Sequence, residues 1–231
     1  MKRAANILTL LAVPGLLFFI SCSKSNTGNS NNTTGGGITS SVFPLAVNNS
    51  WNYKLRNYDT ATGATIDSSY FTINISGTVS ANGTTYYQFQ NSPDTVVLET
   101  LGAINSTTIG SIDNAYGTDY YTFFVAGTGD STSSVNSWPV KVTGNGSTCE
   151  GTDKLFAYYA DTTLINLDGT VYSNSKKNII ETYDCSGNKL IANLYYVKEG
   201  TGLVRYAKYV YNKSGKPVLL LAWVLESETL N

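Results

Sequence analysis

From Trp51 onward the chain is patterned with a period of two. Trp51, Tyr53 and Leu55 fall on one face of an extended run, and Phe71, Ile73 and Ile75 on one face of the next, opposite Thr72, Asn74 and Ser76. Strict alternation of this kind puts one face of a strand in a core and the other in solvent, and no helix presents it. Asn82-Gly83 supplies the backbone of a two-residue hairpin, with a return strand over 84–89. Further runs occupy 95–101, 120–125, 140–143, 155–159, 163–167, 179–183, 190–197, 202–211 and 218–225. Asp168-Gly169, Ser186-Gly187-Asn188 and Lys213-Ser214-Gly215 mark tight turns between several of them. The pattern predicts a mainly β protein: a strongly curved antiparallel meander with little helix. So many strands joined by short turns must curl into an open or half barrel, or split into a two-layer sandwich. One helical turn is expected over 173–178, and a polar loop over 127–136. The run VLLLAWVL at 218–225 lacks alternation and predicts a strand buried on both faces.

Composition narrows the function classes. Lys+Arg number 15 against 16 Asp+Glu, so there is no basic surplus of the kind nucleic-acid binding uses. There is no His, which removes every Ser-His-Asp and Cys-His catalytic arrangement and every His-ligated metal site. No partner nucleic acid and no cofactor are expected.

The N-terminal segment has the layout of an export signal. Lys2 and Arg3 precede an apolar run over 7–20 of roughly 14 residues, too short for a bilayer span of about 20. Phe19-Ile20-Ser21-Cys22 resembles a bacterial lipobox, in which the Cys becomes the lipid-modified N-terminus. The alternative is an ordinary secretory signal cut near Ser21. Residues 23–37, SKSNTGNSNNTTGGG, form a flexible polar tether of the sort that follows a lipidated Cys. The organisation expected is a signal peptide at 1–21, a tether at 22–40 and one β domain at 41–231. Cys22 is the lipidation site, the membrane is reached through that lipid, and the location is the outer membrane of the cell envelope. Removal of Lys2 and Arg3 leaves 13 basic against 16 acidic residues, a formal charge of −3.

Cys149 and Cys185 remain as an even pair in an oxidising compartment and are read as one disulfide, each in a loop; two free thiols are the alternative. No second CxxC accompanies them, so no metal site is expected.

Two phrases resemble a group of Bacteroidetes lipoproteins. Residues 43–53, FPLAVNNSWNY, are similar to an opening phrase FPL-x-x-GN-x-W-x-Y, with Asn48 at its Gly. Residues 195–205, YYVKEGTGLVR, resemble a YYA-x-GVGLV segment, with Thr201 at its Val, and residues 173–183 are similar to the strand that often precedes it. The resemblance covers about residues 42–212. It implies a curved antiparallel sheet on a lipid anchor and carries no catalytic residues.

Candidate chemistry is sparse. A glycosidase needs two facing carboxylates, but most acids here sit in turn contexts. Glu99 and Glu181 lie inside strands and are expected to face solvent. Calcium-type oxygen clusters at Asp59–Asp67 or Asp113–Asp119 lack the EF-hand spacing and read as loops. Tyr86-Tyr87, Tyr120-Tyr121, Tyr158-Tyr159 and Tyr195-Tyr196 invite carbohydrate stacking, yet neighbours in a strand face opposite ways, so one Tyr of each pair belongs to the core. Asp59-Thr60-Ala61, Asp94-Thr95-Val96, Asp130-Ser131-Thr132 and Asp161-Thr162-Thr163 resemble the short O-glycosylation acceptor of Bacteroidetes. The expected function is a non-catalytic, membrane-anchored binding or accessory module for a polymer or protein. The alternatives are a carrier of an apolar ligand in a half-barrel cavity and, behind it, a carboxylate-dependent hydrolase.

Overall fold

The computed structural model describes residues 43–81, 83–92, 97–105, 108–112, 120–125, 134–144, 147–165 and 170–231. Cys22 and the segments read in sequence as a signal peptide (1–21) and a tether (22–40) lie entirely outside these residues. The described strands are β1 (Ser50–Tyr58), β2 (Thr65–Ala81), β3 (Thr84–Ser92), β4 (Val97–Asn105), β5 (Thr108–Ile112), β6 (Tyr120–Val125), β7 (Asn136–Gly144), β8 (Ser147–Ile165), β9 (Val171–Tyr183), β10 (Lys189–Lys198), β11 (Gly202–Tyr211) and β12 (Pro217–Thr229). They form one antiparallel sheet in the order β6-β5-β4-β3-β2-β1-β12-β11-β10-β9-β8-β7. Two meanders therefore meet at a seam where the first strand pairs with the last, Ser50 opposite Thr229 and Asn57 opposite Leu221.

Connectivity alone forces this sheet to curl. The edge strands β6 and β7 are consecutive in the chain and joined by residues 126–135. That link reaches at most about 40 Å, whereas the edges of a flat twelve-stranded sheet stand about 53 Å apart. Side chains report the same curvature. The Tyr172 hydroxyl of β9 donates to the Leu225 carbonyl of β12 at 3.2 Å, although the strands are three steps apart, about 14 Å in a flat sheet. Register shifts at Asn52/Tyr53, Ile75/Gly77, Tyr196/Val197 and Lys208/Tyr209 add the local bends that such curling needs. The sheet is curled but not closed into a barrel.

The concave face holds the core, which gathers side chains from every strand, among them Trp51, Tyr53, Ile75, Phe89, Ile109, Phe124, Trp138, Leu155, Ile180, Tyr195, Tyr206 and Trp223. In β12 the run Ala222-Trp223-Val224-Leu225 is buried on both faces, as its missing alternation predicts.

Three local expectations need correction. Residues 173–178 are not a helical turn but part of β9, paired through Lys177 with Tyr158 and Tyr196; Asn174, at φ 59°, is the kink that the polar composition disguises. The runs 155–159 and 163–165 belong to the single strand β8, whose register against β9 shifts between Tyr158 and Leu164, and residues 166–167 lie outside the described residues. Strand β5 escaped notice because Thr108–Ile112 is short and Gly110 dilutes its pattern. The loop at 127–136 and the turn Asp168-Gly169 lie largely outside the described residues.

Candidate functional site: two ends and a wall

One end of the curled sheet, where Phe43 enters, is closed by the opening phrase. Phe43 packs edge-on against Phe89 with centroids 6.3 Å apart, and Trp51 stacks on Phe89 at 5.8 Å. The Trp51 indole donates to the Thr201 carbonyl at 2.7 Å, joining the opening phrase to the closing one. Gly202, at φ 93°, lies under both: a Cβ there would stand 3.4 Å from Phe43 and from Trp51. Ala46 to Asn49 forms a turn, with the Asn49 amide donating to the Ala46 carbonyl. Asn48 sits at its third position with φ 72°, so the residue at the Gly of the resembled phrase does what Gly does there. Asn49 is fully buried. Its side-chain amide donates to the Pro44 carbonyl, and its Oδ1 accepts from the backbone of Asn231 at 2.7 Å.

The opposite end is built from polar turns. Asp59 Oδ1 accepts from the amides of Ala61 and Thr62, Asp184 Oδ1 from Ser186 and Asn188, and Asn212 Oδ1 from Ser214 and Lys216. These amide hydrogen bonds hold the Asp59 carboxyl below its ordinary range; at Asp184 the Asn188 side chain comes first, then the backbone. Cys149 and Cys185 are joined in a disulfide with their Cα atoms 6.0 Å apart, within the usual span. Cys149 belongs to strand β8 rather than to a loop, and Cys185 to the β9–β10 turn. The bridge fastens that turn to the penultimate strand. Close to it, burial raises the Asp153 carboxyl against the opposing pull of hydrogen bonds from Thr182 and Trp138, and its Oδ1 has no partner.

Between the ends the inner face is filled with rings. Tyr53 stacks on Phe71 at 5.4 Å, Phe71 meets Trp223 edge-on at 5.0 Å, Trp223 meets Tyr206 at 4.6 Å and Tyr206 meets Tyr195 at 5.1 Å. The Tyr53 hydroxyl donates to the Leu203 carbonyl and that of Tyr206 to Asn193 Oδ1. Burial pushes both phenols up.

The outer face carries a different order. Tyr158, Lys177, Tyr196, Arg205, Val224, Lys54 and Tyr70 stand directly opposite one another in succession across seven strands, from β8 to β2. Lys177 lies 4.0 Å from the Tyr158 ring, Arg205 5.8 Å from Tyr196 and Lys54 5.4 Å from Tyr70. Beside this row runs an apolar one: Phe156, Ile179, Leu194, Ala207 and Ala222, ending at Arg56. Lys54, Arg56, Lys177 and Arg205 have no carboxylate partner among the described residues, and the buried Arg205 Nε has no hydrogen-bond acceptor. Glu181, the nearby strand acid, is committed to Lys189 at 2.6 Å and to the Tyr183 hydroxyl.

The residues singled out in sequence fall as follows. Tyr195 is buried in the core, and Tyr196, on the other face of the strand, is half-buried and also packs against core residues. Tyr86 is buried and Tyr87 packs partly against the core. Asp59 and Asp67 are hydrogen-bonded apart, Asp67 to Asn57 at 2.7 Å, so they do not converge on one ligand. Glu99 falls in β4. Asp113–Asp119, Asp94 and Asp130 lie outside the described residues. No His/Cys/Asp/Glu group fit to hold a metal occurs among the described residues, and Asp153 is the one buried acid among them.

No protein-family model and no curated protein matches the chain. Two solved structures resemble it. One is a candidate exported protein with a YmcC-like fold from Bacteroides fragilis, 11% identical with a TM-score of 0.37, the match covering 81% of this chain and 98% of that one. The other is a candidate lipoprotein from Parabacteroides distasonis, 14% identical with a TM-score of 0.36, covering 84% and 100%.

Proposed function

We propose that this is a non-catalytic binding module held to the cell envelope by lipid on Cys22. The observation that carries the binding reading is the division of labour between the two faces. The inner face is spent on ring-to-ring packing, while the outer face presents Lys54, Lys177 and Arg205, which have no carboxylate partner among the described residues, beside tyrosine rings. The lipobox-like Phe19-Ile20-Ser21-Cys22 and the polar stretch behind it support the anchor. The outer membrane is the location this reading assigns. Cys22→Ser should move the protein from the membrane fraction to a soluble pool; unchanged membrane fractionation overturns the anchor. The carrier alternative has its own test. A lipid co-purifying with the protein in stoichiometric amount, seen by native mass spectrometry, would favour it over the filled interior.

A further inference from the structure

Resting on that binding reading, we infer that the outer row Tyr158–Lys177–Tyr196–Arg205–Lys54–Tyr70 is a docking track for an acidic polysaccharide, a chain of sugar rings bearing carboxylates. Four features lead there. The row crosses six strand-to-strand steps, about 29 Å, and so has the length of an extended oligomer rather than of a small molecule. Its cations have no carboxylate partner among the described residues, although the whole chain is nearly neutral, with 15 basic and 16 acidic residues. Rings and cations alternate over four strands, Tyr158, Lys177, Tyr196 and Arg205, and beyond the buried Val224 of β12 the row resumes with Lys54 and Tyr70. A uronic-acid unit offers both counterparts at once: C–H faces for a tyrosine ring and a carboxylate for Lys or the forked guanidinium of Arg205. Finally, the row runs across the strands and therefore around the outside of the curl. Its side chains diverge, so a flat bilayer meets only a few of them at a time, whereas a flexible linear chain can follow the bend.

The test uses the full-length protein in detergent micelles with immobilised polygalacturonate, against dextran as a neutral glycan and polyphosphate as a polyanion without sugar rings. Polygalacturonate should be retained and dextran not, with retention falling as salt rises. Lys177→Gln/Arg205→Gln should weaken binding about tenfold or more, and Tyr196→Ala should weaken it as well. Lys213→Gln/Lys216→Gln removes the same charge from the exposed β11–β12 turn and should leave binding unchanged. Circular dichroism of each variant separates lost binding from lost folding. The inference is overturned if the turn variant weakens binding as much as the wall variant. It is overturned too if polyphosphate binds as tightly as polygalacturonate and Tyr196→Ala changes nothing, or if phosphatidylglycerol in the micelle displaces the polymer with the same residue dependence, which would make the partner a membrane. If polygalacturonate is not retained at all, this inference fails while the anchored module stands or falls on the Cys22→Ser fractionation.

Discussion

The two ends of the curled sheet are held by different physics. At the end where Phe43 enters, Phe43, Trp51, Phe89 and Gly202 form an apolar plug, and the hydrogen bonds there serve buried groups such as Asn49 and the Trp51 indole. At the far end the contacts are polar and covalent: three side-chain-bonded turns, one disulfide and a buried acid. The plug gains stability by removing area from water and is sensitive to the loss of a single ring. The polar end restricts chain segments that would otherwise open, and its strength lies in geometry more than in burial. A curled, open sheet uses both: an apolar seal at one end and restrained turns at the other.

The largest expected effect tests the plug. Trp51→Ala should cost about 3–5 kcal/mol in denaturant unfolding, the range for a buried aromatic left as a cavity; a cost below 1 kcal/mol would mean that Phe43 and Phe89 do not depend on it. At the far end, reducing the Cys149–Cys185 bridge, which spans a separation of 36 residues, should cost about 3–4 kcal/mol at most. If reduction leaves the melting temperature where it was, the far end is held by its turns alone. A finer probe returns to the base. Asn48→Val places a β-branched residue at φ 72° and should cost about 1–3 kcal/mol, whereas Asn48→Gly should be nearly neutral. Equal melting temperatures for the two variants would contradict the turn.

The smallest expected effect has a sign that depends on pH. The Asp153 carboxyl is raised in the folded protein by burial, so the folded state holds that proton more tightly than the unfolded one. Its ionisation lowers stability as pH climbs from the unfolded value of about 3.9 through the raised folded value. Asp153→Asn should therefore stabilise by about 1 kcal/mol at pH 7, with the gain vanishing below about pH 4. A constant difference across that range would show that ionisation is not what the substitution relieves.

Much of the architecture was legible because alternation is a one-dimensional signal. Trp51, Tyr53 and Leu55, or Phe71, Ile73 and Ile75, declare their shared face without knowledge of any neighbour. The pairing of Cys149 with Cys185 followed from counting. What the chain did not disclose is register. Tyr158, Lys177, Tyr196, Arg205, Lys54 and Tyr70 are spread from position 54 to position 205, and nothing in any one strand says that they align. The seam of β1 with β12 was hidden for the same reason. Conversely, Ser175 reads as part of a helical turn because pairing on both sides, with Thr162 and Lys198, rather than propensity, makes it strand.

That seam has a consequence for the order of events during folding. Its ladder joins residues as far apart as Ser50 and Thr229, so β1 can acquire β2 early but must wait for nearly the whole chain before its other edge is covered. Until then two half-sheets coexist, each with an open strand at what will become the middle of the molecule. Long-range closure of this kind is slow. For a chain that is synthesised N-terminus first, it sets the moment of completion: the sheet becomes whole only when β12 has emerged, and an interrupted chain would be left with adhesive edges.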